Sequence, residues 1–250
     1  MRAIRLLCFL AGLVVPGIAA TVTAETVPRD ECVVLLHGMA RTSNSMNDMA
    51  EAIAARGYVV INADYPSREN PVEELAPMAI GGALDRCRRS GASQVHFVTH
   101  SLGGILVRYY LKRFPLPVLG RVVMLSPPNQ GSEAADQLAD WPAYRWLNGP
   151  AGQQLVTGPR GLPQRLGPVD FSLGIITGNR HAFFDAWLAE MFPGPNDGKV
   201  SVERARVEGM HDFLVVPYAH PYIMNKPEVI GQTLHFLRHG HFRRDSERRL

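Results

Sequence analysis

Short apolar runs and helically spaced apolar positions take turns along this chain. Cys32–Leu36, Tyr58–Asn62, Gln94–Thr99, Arg121–Leu125, Leu173–Thr177 and Phe213–Val216 are β-branched or continuously apolar. Strands covered on both faces require this pattern. Between them, Ser45–Arg56, Pro71–Ser90, Leu102–Phe114, Ala182–Met191 and Pro227–His239 carry apolar residues at helical spacing. Strand and helix in alternation predict βαβ units and an α/β fold, a mostly parallel, doubly wound sheet of about six strands.

One interval breaks the rhythm. Ser126–Asp170 separates two strands by about 45 residues rich in Gly, Pro and aromatics. Trp141, Tyr144, Trp146 and Leu147 are spaced to form one apolar face of a short helix. The interval reads as a cap over a pocket, with a structural excursion packed on the core as the alternative. No repeat or low-complexity tract appears.

The N-terminus follows a different pattern. Arg2 and Arg5 precede the apolar run Leu6–Val15, Pro16 and Gly17 break it, and small residues continue to Ala24. These are the marks of an export signal cleaved near Ala20 or Ala24, leaving 25–250 as a single domain. The run is too short for a bilayer, which needs about 20 residues; an uncleaved N-terminal anchor is the other reading. Either places the chain outside the cytoplasm, periplasmic or secreted. The net charge is +3, and 26 basic residues less Arg2 and Arg5 leave 24 against 23 acidic ones. That balance does not point to nucleic acid. The Arg-rich tail Arg238–Leu250 reads as a solvated end, with transient contact to an anionic surface as the second reading. Of three cysteines, Cys8 lies in the signal, so Cys32 and Cys87 remain as a pair in an oxidising compartment. Cys32 opens a strand and Cys87 nears the end of a helix, so both fall at the N-terminal edge of a parallel sheet. A disulfide fits that placement, as do two unrelated buried thiols.

The candidate chemistry centres on Val95–Gly104, V-H-F-V-T-H-S-L-G-G. An apolar strand runs into Thr99-His100-Ser101-Leu102-Gly103 and a helix starts at once, the arrangement of a nucleophile elbow. Such a turn lifts the Ser101 hydroxyl above the sheet edge and leaves the next N–H at a helix N-terminus, where developing negative charge is favoured. Gly103 and Gly104 let that helix pass close to neighbouring strands. The base for such a serine should follow the last strand on the same edge. His220 meets that condition, whereas His211 sits at the opposite end of that strand, His235 and His239 lie on the final helix, His96 is within the elbow strand, His181 begins a helix, and His100, beside the nucleophile, is pointed by a different backbone vector. For the acid, Asp197 sits in N-D-G turn chemistry after the fifth strand; Asp212 precedes the last strand and fits less well.

On these residues the chain resembles the α/β-hydrolase superfamily, and within it bacterial lipases and esterases, over nearly the whole mature length. The resemblance implies an α/β-hydrolase fold with a cap insertion at 126–170. It departs at Thr99, where the family's first elbow glycine usually stands. V-V-L-L-H-G-M-A at Val33–Ala40 resembles the family's oxyanion loop, which implies Met39 and Leu102 N–H groups as oxyanion donors and a loop-shaping role for His37. The N-D-G-x-V-x-x-E stretch resembles the one that carries the triad acid, so the implied set is Ser101, Asp197 and His220, in the chain order of this fold. S-P-P-N-Q-G-S-E at Ser126–Glu133 resembles a pocket-lining segment, with Trp141, Tyr144 and Trp146 as pocket or cap residues. The implied activity is cleavage of small-molecule or lipid esters through an acyl-enzyme. Thioesterase, amidase and acyltransferase use the same triad, and a non-catalytic binding protein is a remote alternative. No Cys/His cluster has metal-ligand spacing and no nucleotide-binding loop is present, so no cofactor or metal is expected.

Overall fold

A computed structural model describes residues 30–183, 190 and 192–244. The expected signal segment and most of the helix expected over Ala182–Met191 lie outside the described residues. The strands are β1 (Glu31–Leu36), β2 (Val59–Ala63), β3 (Gln94–His100), β4 (Leu119–Leu125), β5 (Leu173–Gly178) and β6 (Asp212–Val216). They form one sheet in the order β2-β1-β3-β4-β5-β6, and every neighbouring pair is parallel. Parallel strands need crossovers, and helices supply them: α1 (Asn47–Ala54) after a 3₁₀ turn at Ser43–Met46, α2 (Val72–Arg89), α3 (Leu102–Arg113) and, after the last strand, α8 (Pro227–His239). The strand order reverses direction on either side of β1, which makes the sheet doubly wound, as the alternation of patterns predicted.

Period-two alternation divides the strand side chains between two layers. Cys32, Val34, Leu36, Phe97, Met124 and Ile175 pack with α2 and α3 on one face. Val33, Leu35, Val98, Val123, Leu125 and Ile176 pack with α1 and α8 on the other. Burial on both faces explains why these runs are predominantly apolar. Cys32 and Cys87 form a disulfide with a Cα–Cα separation of 5.7 Å. It ties the start of β1 to the last turn of α2 in the fully buried interior.

The Ser126–Asp170 interval holds α4 (Glu133–Leu138), α5 (Pro142–Gln153) and α6 (Leu162–Leu166). Its anchors are polar. Arg108, buried on α3, donates to the carbonyls of Asn129 (2.7 Å), Pro163 (3.1 Å) and Gly167 (2.6 Å). At the other end, Gln154 accepts from the Val72 N–H at 2.8 Å and donates to Glu73 at 2.6 Å, docking α5 on the start of α2. The expected single apolar face of α5 is not what packs. Tyr144 lies against the core, while Trp141, Trp146 and Leu147 are exposed, Trp146 by 76%. A further short helix, α7 (Val202–Ala205), follows the loop that carries Asp197.

Candidate active site

The C-terminal edge of the sheet gathers backbone that L residues rarely adopt. Ala40, Ser101 and Ser126 are the non-glycine residues with positive φ among the described residues, at 54°, 53° and 48°. They follow the ends of β1, β3 and β4, three adjacent strands. Left-handed non-glycine backbone costs about 1–3 kcal/mol per site and persists where the surroundings fix it. Ser101 has ψ −118° and is the N-cap of α3, and its N–H donates to the Leu125 carbonyl at 2.9 Å. The turn therefore forms with threonine at its first position. Thr99 is fully buried within β3, and its hydroxyl has no hydrogen-bond partner.

Two glycines let that turn sit where it does. A Cβ on Gly103 would stand 2.8 Å from the Leu36 carbonyl oxygen, so only glycine lets α3 leave so close to β1. A Cβ on Gly38 would meet His100 Nδ1 at 2.7 Å and the Ser101 Cβ at 3.2 Å. The His37–Ala40 loop thus lies against the serine turn. Leu102 begins α3, so its N–H is among those without an intrahelical partner. The Met39 side chain lies 3.5 Å from where a Cβ on Gly152 of α5 would stand, which brings the insertion over this loop.

His37 is fully buried, and its Nδ1–H donates to the Gly38 carbonyl at 2.9 Å. Its ring stacks on Tyr65 at 4.1 Å between centroids, and the Tyr65 hydroxyl donates to the His37 carbonyl. Its Nε2 lies 3.3 Å from Asp64. Burial, more than Asp64 can offset, lowers its pKa. This histidine is occupied in holding the loop's shape.

Asp197 and His220 meet directly: Asp197 Oδ2 is 2.8 Å from His220 Nδ1. The second carboxylate oxygen accepts the Lys199 and Val200 N–H groups at 3.0 and 2.8 Å, the N-D-G turn closing on its own side chain. The Asp197 carbonyl also accepts the His220 N–H at 3.0 Å. Asp197 is fully buried and His220 is 7% exposed. A Cβ on Gly178, ending β5, would stand 2.9 Å from the Asp197 Cβ, so that glycine admits the acid to the sheet edge.

The sequence did not reveal the part played by His100. Its Nε2–H donates to the His220 carbonyl at 3.1 Å, and the two rings lie 4.7 Å apart. Burial first, and then the His220 charge, hold its pKa well below the ordinary value. It thus stays neutral and links the serine turn to the His220 loop. Arg41 makes a parallel link, donating to the Pro221 carbonyl at 2.9 Å. Both acceptors are backbone carbonyls far along the chain, which no local pattern marks. Of the expected pocket residues, Tyr144 is packed inward, where burial pushes its phenol pKa up to about 12, and Trp141 and Trp146 face solvent. Asn129 is buried and its amide donates to the Ala205 carbonyl at 2.9 Å, so it stitches loops together.

Comparison with known proteins agrees with this architecture. The family model for the alpha/beta hydrolase family matches residues 33–238. A search of curated proteins by sequence returned no match. Among solved structures, the mature lipase BlEst2 of Bacillus licheniformis superposes with a TM-score of 0.69 at 22% identity, covering 85% of this chain and 94% of that one. The phospholipase PlaB of Legionella pneumophila gives 0.70 at 17% identity, covering 88% and 60%. A monoacylglycerol lipase of Paleococcus ferrophilus gives 0.57 at 17%, covering 86% and 96%. Fold and the match across most of the sequence agree, and the chain belongs to the α/β hydrolase family.

Proposed function

We propose that this protein is an exported serine hydrolase of carboxylic esters, with Ser101 as nucleophile, His220 as general base and Asp197 as its orienting acid. The observation that carries the reading is the buried 2.8 Å contact between Asp197 and His220 Nδ1, on the same sheet edge as the strained Ser101 turn. Asp197 fixes the tautomer with the proton on Nδ1, which leaves Nε2 basic. His220 Nε2 takes the Ser101 proton as Oγ attacks the acyl carbonyl. The oxyanion forms against the Met39 and Leu102 N–H groups; losing one such donor typically costs roughly 10²–10³ in rate. The imidazolium gives its proton to the departing alcohol, and water then releases the acyl-enzyme by the same steps in reverse order. The insertion over Met39 acts as a cap on the acyl-binding side. The similarity to lipases and a phospholipase supports an ester as substrate, with an apolar acyl group. Export is supported by the signal-like N-terminus and by the Cys32–Cys87 bridge, which suits an oxidising compartment. Among the described residues no helix is long and apolar enough to cross a membrane.

The test is hydrolysis of p-nitrophenyl esters of graded chain length by the mature protein beside Ser101→Ala. Turnover that vanishes in the variant is expected, with the best chain length reporting the depth of the acyl site. Full activity in Ser101→Ala would remove the serine from the mechanism. Labelling of Ser101 by a fluorophosphonate without turnover of any oxygen ester would move the substrate to thioesters or amides.

A further inference from the structure

Beside the His37–Ala40 loop lies a groove of about 870 Å³, lined by residues 40–42, Ser45 and residues 64–69. It adjoins the site just described on the side of the His37–Ala40 loop. Ala40, adjacent to Met39, forms one wall, and its N–H donates to Ser67 Oγ of the opposite wall at 3.1 Å. Arg41 reaches across to the carbonyl of Pro221, next to His220. The insertion closes over Arg68: α5 kinks at Gly149, where a Cβ would stand 1.9 Å from the Arg68 carbonyl oxygen.

The chemistry of this groove is wrong for an acyl chain. Its lining consists largely of hydroxyls and charges, and its two cations are not neutralised. Among the described residues, neither Arg41 nor Arg68 has a carboxylate in ion-pair contact. Arg41 is half-buried and makes its hydrogen bond to a neutral carbonyl; burial lowers its pKa, the sign of a cation whose lost hydration is not fully replaced. The Arg68 guanidinium lies 5.5 Å from the centre of the Trp146 ring, and the residue is exposed. Of the two carboxylates in the lining, Asp64 accepts the Ser43 N–H at 2.8 Å, and the unprotonated Nε2 of His37 beside it does not neutralise it. Glu69 is the second negative group, and both carboxylates are exposed.

We propose that this groove binds the alcohol-side head of the substrate and that this head carries an anionic group, a phosphate monoester or phosphodiester. The proposal rests on the ester-hydrolase reading of Ser101, His220 and Asp197. Arg41 and Arg68 contact the phosphate oxygens, since guanidinium offers the fork that phosphate accepts. Hydroxyls of Ser45 and Tyr65's neighbour Ser67 serve the polar remainder of the head, and the acyl chain leaves by another path. Trp146 positions Arg68 and explains why an exposed tryptophan stands on the cap.

The experiment compares two soluble monomeric substrates, butyryl glycerol and butyryl glycerol 3-phosphate, by kcat/KM. The phosphate ester is expected to be favoured by about tenfold or more, as a charge-assisted contact predicts. Arg68→Gln should reduce that ratio about tenfold, and Glu69→Gln should raise it; both positions are exposed and leave the fold intact. Inorganic phosphate should inhibit the neutral ester competitively, and less so in Arg68→Gln. A ratio near one that neither variant moves, with both esters turned over, overturns the groove assignment and leaves the hydrolase reading standing. No turnover of either ester together with no fluorophosphonate labelling of Ser101 overturns both.

Discussion

A carboxylate that accepts three hydrogen bonds has little freedom to turn, and Asp197 accepts three. Oδ1 takes the Lys199 and Val200 N–H groups and Oδ2 faces His220 Nδ1. Asp197→Asn is nearly isosteric, so an amide oxygen at Oδ1 keeps both backbone bonds. The amide NH₂ then points at His220 Nδ1, which must accept, and the proton moves to Nε2. A base protonated at Nε2 cannot receive the serine proton. We expect kcat to fall by roughly 10⁴-fold with KM and melting temperature little changed. A loss below tenfold in burst-corrected kcat would show that Asp197 does not set the tautomer. The same scale explains a limit of sequence reading. N-D-G announces a turn, and Ser101 is announced by its strand–turn–helix context. Nothing local announces that Ala40 and Ser126 share the left-handed backbone of Ser101, because neither is glycine.

At the scale of elements, the longest helix among the described residues is held at its end by a covalent bond. α2 spans 18 residues with Pro77 inside, which removes one backbone hydrogen bond from its first half. The Cys32–Cys87 bridge, 55 residues apart in sequence, clamps its last turn to β1. A loop of this size is stabilised by about 2–4 kcal/mol, chiefly by restricting the unfolded chain. The double variant Cys32→Ala with Cys87→Ala should therefore melt roughly 5–10 °C lower. Calorimetry that finds the wild-type temperature would mean the bridge adds nothing. The elements themselves were legible because the core is. All six strands fall within two residues of their expected starts and ends, and Pro227–His239 matches its helix, since β-branched runs and helical spacing are consequences of two-sided burial. The insertion was legible only as an interruption. Spacing groups Trp141, Tyr144 and Trp146, but it does not say which has a partner, and only Tyr144 has the core. Arg108 was unreadable for a related reason: its acceptors are backbone carbonyls that any sequence supplies.

For the molecule as a whole, the interior holds histidines that cannot charge without breaking the fold. His96 is the clearest. Its Nδ1 accepts the Arg121 N–H at 2.9 Å, so its proton sits on Nε2, facing Glu31 at 3.1 Å. Burial, aided by the Arg121 charge, pulls its pKa down to about 4. Protonating Nδ1 would also sacrifice the Arg121 bond in the middle of the sheet. His100 and His37 shift the same way, chiefly through burial. In the unfolded chain these rings titrate near 6.5. Below that pH the unfolded state binds protons the native state refuses, so stability falls as pH drops from about 6.5 toward 4. For His96 alone the loss reaches about 3 kcal/mol at the low end. The expected outcome is a urea midpoint that is flat from pH 8 to 7 and declines steadily from 6.5 to 4.5. His96→Gln should soften the slope, because its amide can accept from Arg121 and donate to Glu31 without titrating. A midpoint that holds constant to pH 5, or a slope the variant leaves unchanged, would mean that these buried rings are not what ties this fold to neutral pH.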